Sequence, residues 1–134
     1  MNDQGSKRFQ RTREDHRSEL AEDYVELVYQ LSQQHGSARV VQMAARLGVS
    51  QVTVSKAVRR LVQEGYVDAK PYSAITLTER GLQVAMHAAA RHKVVVAFLI
   101  SLGVPPEIAE TDAEGIEHHV SPVTLQAMKD HLEP

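Results

Sequence analysis

The segment "VVQMAARLGVSQVTVSKAVRRLVQEGYV", from Val40 to Val67, constrains the fold most strongly. A short helix, Val41 to Leu47, is predicted to end at Gly48, and Ser50 is a suitable N-cap for a second helix from Gln51 to Glu64. The second helix repeats apolar residues at helical spacing: Val54, Ala57, Val58 and Leu61. Two helices joined by a glycine-containing turn predict a helix-turn-helix.

The opposite face of the second helix is polar and basic. From Ser37 to Lys70 the chain has six Lys or Arg residues against Glu64 and Asp68. Basic residues on such a helix suit the phosphate backbone of DNA, and the helix itself fits the major groove. We therefore expect double-stranded DNA as a partner, with no membrane and no small-molecule substrate.

Roles on this face follow from position along the helix. Gln51 and Thr53, near its N-terminus, are placed to reach base edges, and Val52 is placed to meet a thymine methyl group. Cationic residues further along are better suited to phosphates. The predicted DNA-binding set is Arg39, Ser50, Gln51, Val52, Thr53, Lys56, Arg59 and Arg60.

After Gly65, the stretch "YVDAKPYSAITLT" alternates apolar and polar residues around "KPYS". This pattern predicts a two-stranded hairpin, the wing, with Lys70 and Tyr72 near a flanking DNA backbone. The alternative is an ordinary helical hairpin with a solvated basic face. Turn, cap, charge and wing occur in order, which favours DNA binding.

The N-terminal part divides into a tail and a helix. Residues 1–17 are polar without periodicity, which predicts a disordered tail. A helix is expected from Ser18 to Gln34, and its apolar stripe is Leu20, Tyr24, Leu27, Val28 and Leu31. Residues 18–77 are thus predicted to form a winged helix-turn-helix domain. The chain has no cysteine, no apolar signal sequence and no run of eighteen apolar residues, so a cytoplasmic location is expected.

Residues 78–134 are predicted to form a second, helical domain, which makes the fold class mainly α. Thr78 caps a long helix from Glu79 to about Leu102. Its second half, "VVVAFLISLGV", is apolar almost all round and must be buried. Because so small a chain offers little to cover it, we expect a homodimer. Shorter helices are expected to start at Pro105–Pro106 and at Ser121–Pro122.

The acidic end of the chain contains "DAEGIEHHVS", residues Asp112 to Ser121. In a helix, Glu114, Glu117 and His118 share one face, whereas His119 points away. Two interpretations stay open at this point. The three side chains converge on a metal ion, or Thr111 and Glu114 form a capping box, T-x-x-E, at a helix start.

Other helices offer further donors of the same kind: Asp23 and Glu26 on the first helix and His92 on the long one. The four carboxylates together would be neutralised by two divalent cations. Oxygen and nitrogen donors without thiolate suit Mn²⁺ or Fe²⁺. Helical periodicity does not show that these helices meet.

Three motifs resemble the DtxR/MntR family of metal-dependent repressors, and most closely its manganese-responsive branch. They are "EDYVELVY" at Glu22 to Tyr29, "RLGVSQVTVSKAVRRL" at Arg46 to Leu61 and "RHKVVVAFLISLGV…DAEGIEHHVS" at Arg91 to Ser121. The resemblance implies a DNA-binding N-terminal domain, dimerising C-terminal helices and a binuclear metal site. The implied ligands are Asp23, Glu26, His92, Glu114, Glu117 and His118. The iron-responsive branch carries a sulfur residue at the position of Glu114, so a carboxylate there points to manganese.

The expected function is a homodimeric regulator that Mn²⁺ activates, with two ions per subunit, to bind a palindromic operator and repress manganese uptake genes. Fe²⁺ is the rival effector. A metal-independent winged-helix regulator, whose acidic end binds a protein partner, is a second alternative. A two-metal hydrolase is a third, but no additional nucleophile or base motif is found, so we do not expect an enzyme.

Overall fold

The computed structural model describes residues 3–133 and, among them, the side chains of residues 7, 10 and 19–133. Within that part of the chain the fold is mainly helical, as predicted, with one small antiparallel sheet. The elements are α1 (Asp3–His35), α2 (Val40–Leu47), α3 (Gln51–Gln63), β1 (Val67–Asp68), β2 (Thr76–Leu77), α4 (Glu79–Ser101), α5 (Pro106–Ile116) and α6 (Pro122–Leu132).

The chain forms two compact units. One comprises residues 20–86, and the other combines residues 3–19 with residues 87–133. The predicted domain boundary between residues 77 and 78 falls inside the unit of residues 20–86. The domain limits therefore stay a prediction.

Helix α1 is longer than expected. It starts at Asp3, so the described part of the predicted disordered tail is helical, and Met1 and Asn2 lie outside the described residues. The physical reason is that no proline interrupts the segment, and Lys, Arg, Gln and Glu sustain a helix without an apolar stripe. Periodicity predicts a helix only where apolar residues repeat on one face, and the sequence of this segment has no such repeat.

The unit of residues 20–86 is built on one apolar core. Helix α1 contributes Tyr24, Leu27, Val28 and Leu31 to this core, as predicted, whereas Leu20 is 44% exposed and lies outside it. The remaining members lie between the end of α1 and the start of β2: Ala38, Met43, Ala44, Val54, Val58, Leu61, Val67 and Ile75. Full burial of each large aliphatic side chain contributes about 1.5–3 kcal/mol.

Local sequence signals determine where α2 ends and where α3 begins. Gly48 ends α2 with a left-handed φ of 69°, which glycine adopts without a steric cost. The Ser50 hydroxyl accepts a hydrogen bond from the backbone N–H of Thr53 at 3.1 Å, so the predicted cap of α3 is confirmed. The helix-turn-helix therefore forms from the residues that predict it.

The wing is a short hairpin. Val67 pairs with Leu77 and Asp68 with Thr76, and an isolated bridge joins Ala38 to Ile75. At the tip, Tyr72 has a left-handed φ of 63° and is fully exposed.

The start of α4 is tied closely to the base of the wing. Thr78 caps the helix, because its hydroxyl accepts from the Gly81 N–H at 3.1 Å and donates to the Gly65 carbonyl at 2.6 Å. The Arg80 guanidinium lies 4.4 Å from the centre of the Tyr66 ring. A Cβ atom at position 81 would lie 2.0 Å from the Tyr66 carbonyl oxygen, so only glycine fits there.

The unit that contains residues 87–133 consists of the later part of α4 together with α5 and α6, in addition to the start of α1. Val95, Ala109 and Ala113 are buried, and the rings of Phe98 and His131 meet edge to face with centroids 5.3 Å apart. Pro106 occupies the first turn of α5, and the Ser121 hydroxyl accepts from the Thr124 N–H at 3.2 Å to cap α6. Both predicted helix starts are confirmed.

Helix α4 leaves much apolar surface uncovered in the single chain. Among the described helices, α4 is the one that is long and apolar enough to cross a membrane by length and composition alone. Only 17% of its most apolar window is buried. Ile100 and Leu102 are 43% and 59% exposed in the single chain, and a homodimer is expected to cover this segment.

We predict that Gly81→Ala lowers the free energy of unfolding by about 1–3 kcal/mol, because the added methyl group overlaps the Tyr66 carbonyl. Thermal and urea denaturation of the metal-free protein measure the change. Gly115→Ala is the matched control, since nothing lies within 4 Å of the added Cβ. This control should be neutral or slightly stabilising. Equal stability of the two variants would contradict the close approach.

Candidate metal centre and nucleic-acid interface

The start of helix α5 decides whether Thr111 and Glu114 form a capping box. It runs from Pro106 to Ile116, so Thr111 and Glu114 lie in its interior. The Thr111 hydroxyl donates to the Glu107 carbonyl at 3.2 Å, as an interior threonine does. The capping-box interpretation is therefore wrong, because Pro106 begins the helix earlier.

Glu117 is the most deeply buried carboxylate of the described side chains. It occupies the C-cap of α5 and its side chain is 2% exposed. One oxygen, Oε2, lies 2.6 Å from Nδ1 of His92, and the other, Oε1, lies 3.6 Å from Nε2 of His118. The His118 side chain is also 2% exposed. Glu117 thus sits between two imidazoles, and both of its oxygens are engaged.

Burial and neighbouring charge shape this cluster. Burial raises the pKa of the Glu117 carboxyl, and the charge of Glu114 raises it further, against the opposing effect of His92 and His118. Burial opposes a charged His92, but its hydrogen bonds with Glu110 and Glu117 outweigh that effect and raise the pKa of the ring. The Nδ1···Oε2 contact of 2.6 Å therefore pairs a buried carboxyl with a ring whose charged form its carboxylate partners favour, and a bound cation would supply positive charge at the same place.

A carboxylate that the sequence analysis missed completes the arrangement. Oε2 of Glu110 lies 2.6 Å from Nε2 of His92, and the Glu110 side chain is 60% exposed. Glu110 precedes Glu114 by four residues and Glu117 by seven, so helical spacing could have placed it on the same face. His92 therefore contacts carboxylates through both ring nitrogens.

Two further predicted positions lie in the same unit. Glu114 is exposed on α5, one turn before Glu117. His119, which was expected to point away, is 51% exposed and its Nε2 lies 3.3 Å from Oε2 of Glu19.

Asp23 and Glu26 lie on α1 in the unit of residues 20–86. Asp23 is exposed and Glu26 is partly buried. Their membership of the metal site stays a prediction from the resemblance.

The donors that the structure brings together fit a hard divalent cation. Carboxylate oxygens and imidazole nitrogens are present, and the chain contains no thiolate. Such ligands suit Mn²⁺ and Fe²⁺, and a buried carboxylate beside a second acid is compensated by positive charge.

The outer face of α3 is open to solvent. Gln51, Val52, Thr53 and Lys56 are exposed, and Val52 is 64% exposed despite being apolar. The Thr53 hydroxyl lies 2.9 Å from that of Ser50, so these two predicted DNA contacts also serve the helix cap.

Three cationic side chains from separate elements line one groove of about 500 Å³: Arg39 before α2, Arg59 on α3 and Lys70 in the wing. Tyr72 and Ser73 line it as well. Arg60 instead forms an ion pair with Glu64, with Nε 3.2 Å from Oε1. A groove with three positive groups and no acidic lining residue suits a phosphate.

Two family models cover most of the chain. Residues 16–75 match the DNA-binding domain of the iron dependent repressors, described as N-terminal. Residues 78–134 match the metal binding and dimerisation domain of the same family.

Individual relatives agree with these matches. The chain is 51% identical over 119 residues to the transcriptional regulator MntR of Salmonella typhimurium, covering 89% of this chain and 76% of that protein. It is 37% identical over 100 residues to the HTH-type transcriptional regulator MntR of Bacillus subtilis, covering 75% of this chain and 70% of that protein.

A solved structure described as a manganese-dependent transcriptional repressor in complex with manganese superposes with a TM-score of 0.74 at 30% identity. The match covers 84% of this chain and 52% of that one, so the chain spans about half the length of this solved relative. By fold, by both domain matches and by identity to these regulators, the chain belongs to the iron dependent repressor family, with a DNA-binding domain followed by a metal-binding and dimerisation domain.

Proposed function

We propose that this protein is a manganese-responsive transcriptional repressor that binds operator DNA as a homodimer in the cytoplasm. The observation that carries the proposal is the buried Glu117 carboxylate held between His92 and His118. It lies in a region that matches a metal-binding domain, in a chain whose relatives are named as manganese or MntR regulators. Those names describe DNA-binding regulators, which supports a function other than catalysis.

The proposed ligand set is the one that the resemblance implies, and it holds two Mn²⁺ ions per subunit. Four carboxylates and two imidazoles supply it: Asp23, Glu26, His92, Glu114, Glu117 and His118. Bound metal would supply positive charge that compensates these carboxylates. Glu114 is the residue that favours manganese, because an oxygen donor stands where the iron-responsive branch has sulfur.

In the proposed mechanism, the side chains of α4 and α5 hold one part of the site and those of α1 the other. Ligation then restrains Asp23 and Glu26 relative to His92 and Glu117. That restraint fixes the spacing of the two recognition helices in a dimer, so that they match major grooves about 34 Å apart on a palindromic operator. Metal and DNA binding are then reciprocally coupled, typically by about 1–3 kcal/mol.

The DNA-binding surface combines base contacts with phosphate contacts. Gln51, Val52 and Thr53 reach base edges from the N-terminal turn of α3. Arg39, Arg59 and Lys70 hold a phosphate in the groove that they line. Lys56 and Arg60 add contacts along the same face.

Three other functions predict different behaviour. An Fe²⁺-responsive repressor would bind its operator with Fe²⁺ but not with Mn²⁺. A metal-independent regulator would bind equally well in chelator. A hydrolase would turn over phosphoesters in the presence of metal.

We predict that the protein binds DNA from the promoter of a manganese uptake gene at least tenfold more tightly with Mn²⁺ than with chelator. A tenfold change corresponds to about 1.4 kcal/mol, within the usual range of coupling. Fluorescence anisotropy with Mn²⁺, Fe²⁺, Zn²⁺ or chelator measures it. His92→Ala should lose the response, because the variant lacks an imidazole at the site.

His87→Ala is the matched control, since it removes an exposed histidine from the same helix. It should respond to Mn²⁺ as the parent does. Equal binding by the parent in Mn²⁺ and in chelator would refute a metal-dependent repressor, and a response to Fe²⁺ alone would identify the iron-responsive function.

A second prediction concerns the groove. Arg59→Ala should weaken binding to all DNA sequences alike and reduce the salt slope by about one unit for the lost phosphate contact. Gln51→Ala should instead relax sequence preference while keeping the slope. Arg60→Ala should have the smaller effect on the slope, because Glu64 already pairs with that residue. Binding titrations at several salt concentrations separate these outcomes, and an unchanged slope for Arg59→Ala would remove it from the interface.

A third prediction concerns assembly. Ile100→Asp should yield a folded monomer, because Ile100 is 43% exposed in the single chain but lies in the apolar segment that a partner would cover. Val41→Asp, a change at an exposed apolar position in α2, should leave the dimer intact. Analytical ultracentrifugation measures both. A monomeric parent protein at micromolar concentration would contradict the homodimer.

A further inference from the structure

Glu110 stands outside the ligand set, yet it makes one of the shortest side-chain contacts at the candidate centre. Its Oε2 lies 2.6 Å from Nε2 of His92, while the other ring nitrogen faces Glu117 at the same distance. The two carboxylates differ in surroundings, since Glu117 is 2% exposed and Glu110 is 60% exposed. His92 therefore has a buried side, which includes Glu117, and a solvent side, which faces Glu110.

The ring chemistry assigns a role to each side. A neutral imidazole carries a proton on one nitrogen only and offers the other as an acceptor or metal ligand. Nδ1 faces Glu117, which itself neighbours His118, so Nδ1 is the nitrogen directed toward the other proposed ligands. For Nδ1 to ligate a metal, the single ring proton must reside on Nε2. The Nε2–H group then donates a hydrogen bond to Oε2 of Glu110.

We propose that Glu110 is a positioning residue that holds His92 in the Nε2–H form and fixes its ring orientation for metal binding through Nδ1. This inference rests on the proposed metal-responsive function. Ligating histidines commonly donate their second N–H to a carboxylate, and loss of such a partner weakens metal binding about 10–100-fold.

The positions of Glu110 and Glu117 on α5 fix the orientation of the His92 ring. Glu110 and Glu117 are seven residues apart, which is about two helical turns. The single ring of His92 spans the gap between them and joins α4 to α5 at both points. A rotation of the ring about its own axis would break both hydrogen bonds, so the two carboxylates together select one orientation.

The test compares Mn²⁺ affinity, by isothermal titration, among three variants of the full chain. Glu110→Ala removes the acceptor and should bind Mn²⁺ about 10–100-fold more weakly than the parent. Glu110→Gln keeps an amide oxygen that accepts the Nε2 proton, and should recover most of that loss. Glu107→Ala removes the same charge from an exposed position in the first turn of α5 and should bind as the parent does.

A second measurement reports on the ring itself. In protein labelled with ¹⁵N-histidine and loaded with diamagnetic Zn²⁺, the parent should show a slowly exchanging Nε2 proton on His92. Glu110→Ala should lose that protection, and Glu110→Gln should retain it. A residue that merely stabilises the fold would not move this signal.

Each remaining outcome is decisive. If Glu110→Ala binds Mn²⁺ as tightly as Glu107→Ala, the positioning role is wrong although the parent still binds metal. If the Gln and Ala variants lose affinity equally and Zn²⁺-loaded Glu110→Gln lacks the protected proton, Glu110 is a direct ligand and the inference is overturned. If the parent itself binds no Mn²⁺, the proposed function fails first.

Discussion

The pairing of a buried carboxylate with an imidazole organises the C-terminal unit. Glu117 lies out of water at the end of α5, and an ionised carboxylate there costs several kcal/mol unless a partner compensates it. His92 on α4 provides that partner at 2.6 Å, so the requirement to satisfy one side chain also fixes where α5 ends against α4. The same requirement explains why a cation fits this place: it compensates the carboxylates without needing a proton.

The helix-turn-helix was predictable because its signals are local. Gly48, the Ser50 cap and the apolar spacing of α3 each act within a few residues, and the structure bears them out. Helix α1 shows the limit of the same reasoning. Its first half has no apolar stripe, so periodicity could not separate a solvated helix from a disordered tail, and Leu20, which matches the spacing, is nevertheless 44% exposed.

The candidate centre was predictable only in part, for a related reason. Helical spacing brought Glu117 and His118 into consideration, but the contact of Glu117 with His92 depends on how α5 meets α4. Helical spacing places Glu110 on the face of Glu114 and Glu117, but its contact with His92, eighteen residues away, depends on tertiary packing that spacing does not report. The capping-box alternative failed because Pro106 starts α5 earlier than Thr111, which a short window around the acidic motif does not reveal.

The ion pair between Arg60 and Glu64 lowers the net positive charge that the basic face of α3 presents. Both side chains are about half exposed, at 57% and 42%, so the pair is weak and can exchange with water and ions. Glu64 nevertheless acts as a built-in counterion beside the recognition surface. If DNA displaces Glu64 from Arg60, as in the proposed complex, fewer mobile cations would be released than the number of basic residues implies. In the proposed complex, Glu64 would thus weaken the non-specific attraction of α3 to DNA, and sequence-dependent contacts would make up a larger share of the binding free energy.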